Sequence, residues 1–158
     1  MEKTFVMIKP DGVQRGIVGE IISRFEKIGL RIVGMKFMHV DKDFSKKHYS
    51  EHIDKHFYSF LEDFLTSGPV IAMVLEGSSA ISLVRKIVGS TEPASAMPGT
   101  IRGDYSHVTY KRADSKKTAI PNLIHASDSE ESAQKEISLW FCQSELFDNY
   151  ETVYSKFM

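Results

Sequence analysis

Two short runs, Thr4-Phe5-Val6-Met7-Ile8 and Val70-Ile71-Ala72-Met73-Val74-Leu75, constrain this chain more than anything else in it, because both are apolar at odd and even positions alike. Side chains alternate between the two faces of a strand, so a strand that is apolar throughout must be covered on both. Both runs are therefore expected to be central strands of a sheet. The first closes at Lys9 and Pro10-Asp11-Gly12, the second at Glu76-Gly77, and each closure is turn chemistry.

Around these runs the periodicity changes. Val18, Ile21, Ile22, Phe25 and Ile28 fall at helical spacing with Gly29 as the stop, and residues 31–40 alternate, with Val33, Met35 and Phe37 on one side and Gly34 and Lys36 on the other. That second pattern predicts a half-buried strand near an edge. Residues 43–53 and 57–65 read as helices. Ser78 or Ser79 caps another helix with the stripe Ile81, Val84 and Val88 and the stop Gly89; Arg85 lies about 40° from Ile81 and borders that buried stripe. Residues 90–99 form a loop, and 105–121 a long polar surface connection carrying Lys111, Arg112, Lys116 and Lys117. Ser127 with Glu130 has capping-box spacing, and Asp128 or Ser129 serves as N-cap equally well. A helix from about residue 129 to 135 is expected next, and then 136–141, where Ile137, Leu139 and Phe141 alternate, as the fourth strand. The resulting order predicts an α+β split βαβ arrangement over 1–158, one domain with an antiparallel four-stranded sheet and helices on one face.

Composition narrows the function classes. The 158 residues carry a formal charge of −1, which excludes a protein-wide basic field for nucleic acid or an acidic membrane, so any anion site must be local. Cys142 is the only cysteine, which rules out an internal disulfide and a thiolate zinc cluster and suits a reducing, cytoplasmic setting. No apolar run approaches the roughly 20 residues of a membrane helix, and the strand-like start at Thr4 leaves no room for a signal peptide. His48, His52 and His56 recur every four residues, but no HExxH motif accompanies them and a metal reading is rejected. Tyr49 and Phe57 read first as core aromatics. Arg102-Gly103-Asp104 is discounted as an adhesion motif, and neither GxxxxGK[ST] nor GxGxxG is present in the right context, so a phosphate site would have to be built from side chains.

His125 stands just before the helix-start signal and is expected at the positive end of that helix, where anions gather. Its position alone fits a structural histidine. Scattered groups suited to holding a polyphosphate turn it into a candidate phosphate-accepting nucleophile.

Several motifs then stand in register: Ile8-Lys9-Pro10-Asp11-Gly12-Val13-Gln14-Arg15-Gly16, Gly99-Thr100-Ile101-Arg102-Gly103-Asp104, Asn122-Leu123-Ile124-His125-Ala126-Ser127-Asp128-Ser129 and Glu136-Ile137-Ser138-Leu139-Trp140-Phe141. Together they resemble the nucleoside diphosphate kinase family across nearly the whole chain. The resemblance implies a ferredoxin-like fold and ping-pong transfer of the terminal phosphate of a nucleoside triphosphate, mainly ATP, to a nucleoside diphosphate. By the same resemblance His125 is the phosphorylated histidine, Glu136 the carboxylate that holds its ring, and Ser127 a neighbour of the pair. Lys9, Tyr49, Arg85, Thr91, Arg102 and Asn122 match phosphate and sugar contacts, with Lys9 and Asn122 at the ribose 3′-hydroxyl, and Phe57 matches the aromatic on which the base stacks. Low base specificity follows, since every base has a π-face. The resemblance also implies magnesium bridged by the nucleotide's phosphates, with Asp128 an indirect partner through water, and a homo-oligomer, a tetramer or hexamer of dimers. The chain departs from the family pattern in a longer connection between Asp104 and Asn122, which puts the second wall of the base pocket (Ala119) and the assembly in question. The competing reading is a ferredoxin-like nucleic-acid-binding or regulatory module without catalysis, supported by the four cations of that connection alone.

Overall fold

In the computed structural model, which describes residues 1–157, the first apolar run becomes β1 (Glu2–Ile8) and the second lies in β3 (Pro69–Gly77). They pair antiparallel at the centre of a sheet ordered β2-β3-β1-β4, with β2 (Arg31–His39) and β4 (Ile124–Ala126) at the edges. Alternation sorts their side chains into two cores. Val6, Ile8, Met73 and Leu75 pack on one face against Ile21 and Phe25 of α2 (Val18–Lys27) and Val84 and Val88 of α5 (Ala80–Val88). Phe5, Met7, Val70, Ala72 and Val74 pack on the other against Leu65 of α4 (Tyr58–Leu65) and Trp140 of α8 (Glu130–Trp140). Helices thus cover both faces, not one, as the doubly apolar strands themselves require. Gly29 and Gly89, both at φ +85°, end α2 and α5, a conformation that costs glycine little.

Three expectations need correcting. Residues 136–141 are not the fourth strand: Ala133, Ile137 and Trp140 lie on one side of helix α8, and the fourth strand is the three-residue β4 before it. The connection 105–121 holds a helix, α7 (Tyr110–Lys116), whose N-cap Thr109 accepts from Arg112 N and whose only buried residue is Ala113; its four cations are exposed as expected. In β2 an irregularity between Ile32 and Gly34 shifts the register, so Val33 is buried in the second core while Met35 and Phe37 stay exposed on the opposite face. That shift is a β-bulge, one extra residue that reverses the facing of everything beyond it.

Helix α5 is capped from afar. Ser79 sits in the left-handed region without a side-chain cap bond, and Ile81 N instead donates to Glu2 Oε2 at 2.8 Å. The remaining helices are short: α1 (Pro10–Gln14), α3 (Lys42–His48, N-capped by Asp41) and α6 (Ile101–Tyr105, N-capped by Thr100). Because α3 ends at His48, the histidines at 48, 52 and 56 do not share a helix face.

Candidate active site

His125 is the middle residue of β4, paired with Met7, and its neighbours Ile124 and Ala126 turn into the first core. Strand alternation therefore throws the imidazole to the opposite face, against Phe5 and α8. It does not cap a helix: the N-cap of α8 is Ser129, which accepts from Ser132 N at 3.1 Å, and Ser127 forms no capping box. Instead Glu136, two turns into α8, places Oε1 2.7 Å from His125 Nε2, and Ser127 Oγ donates to the other carboxylate oxygen. An ionised carboxylate only accepts, so Nε2 carries the ring proton and Nδ1 keeps its lone pair. The His125 side chain is 25% exposed, enough for a ligand to reach it.

A second group closes on the same point from the end of β1. Lys9 N donates to Leu123 O at 2.8 Å, Asp11 Oδ2 accepts from Leu123 N at 3.0 Å, and Leu123 is held at φ +71° between them. A non-glycine residue there costs on the order of 1–3 kcal/mol, and the clamp from both sides of its peptide is what retains it. Gly12 completes the approach: a Cβ on it would meet Ile8 Cγ2 at 2.7 Å and Leu123 O at 3.0 Å. Lys9 Nζ donates to Asn122 Oδ1 at 2.8 Å, and Asn122 Nδ2 donates to Thr91 O at 2.9 Å. Burial and then the nearby Arg102 draw the Lys9 ammonium down to about 8, against a restoring pull from Asp11. The unfolded chain binds more protons than the folded one between that value and the ordinary 10.5, so this group makes the fold more stable as pH rises across that interval.

Arg102, on α6, is 3% exposed and donates to three backbone carbonyls, Asn122 at 3.1 Å, Gly89 at 2.9 Å and Ile124 at 2.6 Å. Arg85, on the flank of α5 as its helical position predicts, donates to Ala126 O at 3.3 Å. Tyr49 is half-buried beside α3; burial and then the negative Glu136 hold its phenol above the ordinary range.

The candidate site residues named from the sequence line one cleft of two lobes that share His125. Its larger part, about 520 Å³, is bounded by Lys9, Tyr49, Phe57, Arg85, Thr91, Arg102, Asn122 and His125. Tyr110 and Ala113 of α7 line it too, with Thr118, Ala119 and Ile120, so the 105–121 connection builds part of the cleft. A smaller lobe of about 310 Å³ shares His125, Tyr49, Arg85 and Thr91 and adds Ser127, Asp128 and Glu136. The Ser132 hydroxyl, donating to Asp128 Oδ1 at 2.8 Å, lowers that carboxyl below its usual range. Sequence reasoning missed Tyr110 as a lining residue and the parts played by Asp11, read only as a turn residue, and His48, read only within a histidine repeat; each gains its place through a contact distant in the chain.

The sheet order is that of an α+β, ferredoxin-like protein, here with helices on both faces. A family profile described as nucleoside diphosphate kinase matches residues 2–146. Among curated relatives, nucleoside diphosphate kinases of Staphylococcus epidermidis and Archaeoglobus fulgidus are 56% and 52% identical, spanning 96% and 92% of this chain and 95% and 90% of their own. Among solved structures, a transition-state mimic of the Borrelia burgdorferi enzyme with bound vanadate and ADP superposes with a TM-score of 0.93 at 42% identity, over 98% of this chain and 94% of that one. A Halobacterium salinarum nucleoside diphosphate kinase in complex with CDP gives 0.87 at 46%, over 99% and 97%. The chain belongs to the nucleoside diphosphate kinase family, which disfavours the non-catalytic binding module.

Proposed function

We propose that the chain passes the terminal phosphate of a nucleoside triphosphate, mainly ATP, to His125 Nδ1 and from there to a nucleoside diphosphate. The first step forms the Nδ1–P bond as the bond from the γ-phosphorus to the β,γ-bridging oxygen breaks and the diphosphate leaves. The second reverses it with a terminal oxygen of the acceptor diphosphate. One imidazole thereby splits a transfer between two bulky anions into two transfers at one site. The observation that carries this reading is the 2.7 Å contact from Glu136 to Nε2, which leaves Nδ1 as the nucleophilic nitrogen in a cleft lined by Lys9, Arg85 and Arg102. Fixed cations suit a reaction whose catalysis is positioning and neutralisation of phosphate charge. Incubation with γ-labelled ATP should leave acid-labile, base-stable label on the protein that GDP or UDP removes; label that is absent, or that no diphosphate can chase, overturns the assignment.

Lys9 and Asn122, already hydrogen-bonded to each other, would share the ribose 3′-hydroxyl, while Arg85, Arg102, Thr91 and Tyr49 contact phosphate and sugar. Because anionic phosphates favour the charged lysine, nucleotide affinity is expected to be flat in mild acid and to fall as pH rises through about 8. The fall should approach about tenfold per pH unit, and Lys9→Met should flatten it; calorimetric titration across pH checks both.

Phe57, 36% exposed and lining the same lobe as α7, would stack the base. Stacking reads no hydrogen-bonding edge, which fits relatives holding ADP in one case and CDP in another. Phe57→Ala is expected to weaken ADP, GDP, CDP and UDP by similar amounts, about 1–3 kcal/mol each. A loss confined to purines or to pyrimidines in fluorescence titration would contradict stacking.

Magnesium fits the cleft only as a nucleotide-borne ion. The group able to gather a metal around His125 is His48, His125 and Glu136, two nitrogens and one carboxylate, whereas Mg²⁺ takes oxygen ligands and keeps its waters. Asp128, in the same lobe as His125, is placed to act through water. Bound to the phosphates, Mg²⁺ would supply neutralisation of their non-bridging oxygens.

Edge strand β2 exposes Met35 (54%) and Phe37 (63%), which supports a homo-oligomer built from dimers, a tetramer or a hexamer. Among the described residues no helix is long and apolar enough to cross a membrane, and a cytoplasmic location is proposed with the lone Cys142 as its support.

A further inference from the structure

His48 has no place in the chemistry above, yet its fully buried side chain stands beside the centre of it. Trp140 Nε1 lies 3.2 Å from His48 Nδ1. An indole nitrogen can only donate, so Nδ1 must accept and the ring proton sits on Nε2. Among the described residues Nε2 has no hydrogen-bond partner. A buried donor left in that state has given up its bond to water and gained none in return. The alternative tautomer would carry its proton on Nδ1, which is 4.0 Å from Glu136 Oε1 and could donate to it after a small shift. The fold therefore keeps the tautomer with an orphaned donor and forgoes the one that has a carboxylate within reach.

The forgone contact explains the choice, because Glu136 Oε1 is the same atom that holds His125 Nε2 at 2.7 Å. A donating His48 would compete for it and loosen the imidazole. The His48 ring also meets the His125 ring edge-on, with centroids 5.0 Å apart and planes at 86°, a contact that limits rotation of His125. We propose that Trp140 and His48 form a positioning device for phosphoryl transfer: the indole N–H locks His48 as an acceptor, so Glu136 serves His125 alone.

The inference rests on His125 as the phosphate acceptor. Besides Glu136 and His125, the ionisable groups that bear on His48 are Lys9, His52 and the neighbouring Tyr49, with Phe5 and Trp140 closing the apolar side. Burial first, and then the fields of His125, Lys9 and His52, hold its pKa well below the usual histidine range, so the ring stays neutral where the locked tautomer is needed.

Trp140→Phe tests the device by removing the N–H while keeping an aromatic ring. Single-turnover formation of phosphohistidine from ATP is expected to slow about tenfold or more with nucleotide affinity unchanged, since misaimed reacting groups cost rate and not binding. The acid limb of the rate profile should move to higher pH, because a freed His48 gains Glu136 as a partner when protonated. Adding His48→Phe removes both buried polar partners together and should restore most of the rate. In the unaltered protein, ¹⁵N NMR should show Nδ1 of His48 bare and Nε2 protonated. Additive losses in the double variant, an unshifted acid limb, or a protonated Nδ1 would overturn the proposal. Absence of any phosphohistidine in the unaltered protein would instead overturn the reading it rests on.

Discussion

Replacing His125 with alanine is expected to lower nucleotide phosphotransfer by about 100,000-fold or more, the scale seen when a covalent nucleophile is deleted, and to leave no acid-labile label from γ-labelled ATP. The two imidazoles that share the smaller lobe with His125 are both engaged elsewhere. His48 is buried with Nδ1 engaged by Trp140, and His52 Nδ1 lies 2.9 Å from Lys55 Nζ, at the rim of the cleft. The fold should survive the change, because β4 is held to β1 through its backbone register at Ile8, Met7 and Val6, none of which needs the ring. Glu136 retains Ser127 as a donor. Nucleotide affinity should therefore persist while transfer disappears, and a chase assay beside equilibrium binding separates the two. Retained acid-labile label on the alanine variant would place the nucleophile elsewhere.

How far these features could be read in advance depended on whether the signal was local. β1 and β3 were legible because two-faced apolarity has one structural solution, and α2 and α5 because a stripe followed by glycine is a local code. β4 was not legible: three residues cannot display a period, and the capping signals after it drew His125 toward the helix. In 136–141, Ile137, Leu139 and Phe141 fit alternation, but extending the window back to Ala133 shows 133, 137 and 140 at helical spacing, and that longer pattern decides it. α7 lacks a stripe altogether and is held by Thr109 and the single buried Ala113. The candidate site residues named from the motif resemblance all line the cleft, whereas the His48–Trp140 pair depends on α3 and α8 meeting, which neither segment announces.

Arg102→Met is expected to damage the protein twice, through the fold and then through ligand binding. Sequence motifs assign Arg102 to phosphate, but its guanidinium is already committed to the carbonyls of Gly89, Asn122 and Ile124. These three belong to the stop of α5, the residue that holds Lys9, and the first residue of β4, so one side chain ties together the strand that carries His125 and the loop that faces it. Burial and then Arg85 lower the Arg102 pKa to about 10, still far above neutrality, so the tie remains cationic while it presents positive charge to the cleft. Methionine fills a similar volume but donates nothing, leaving the carbonyls of Gly89 and Ile124 unsatisfied at about 1–3 kcal/mol each before relaxation, while Asn122 O keeps Ile124 N at 2.8 Å. A net loss of about 4 kcal/mol is expected in urea unfolding, a large part of the stability of a domain this size. A purely ligand-directed arginine would behave differently: its removal would spare the unfolding midpoint and weaken nucleotide binding alone. If the midpoint is unmoved, the three-carbonyl tie contributes little and Arg102 is a phosphate reader only.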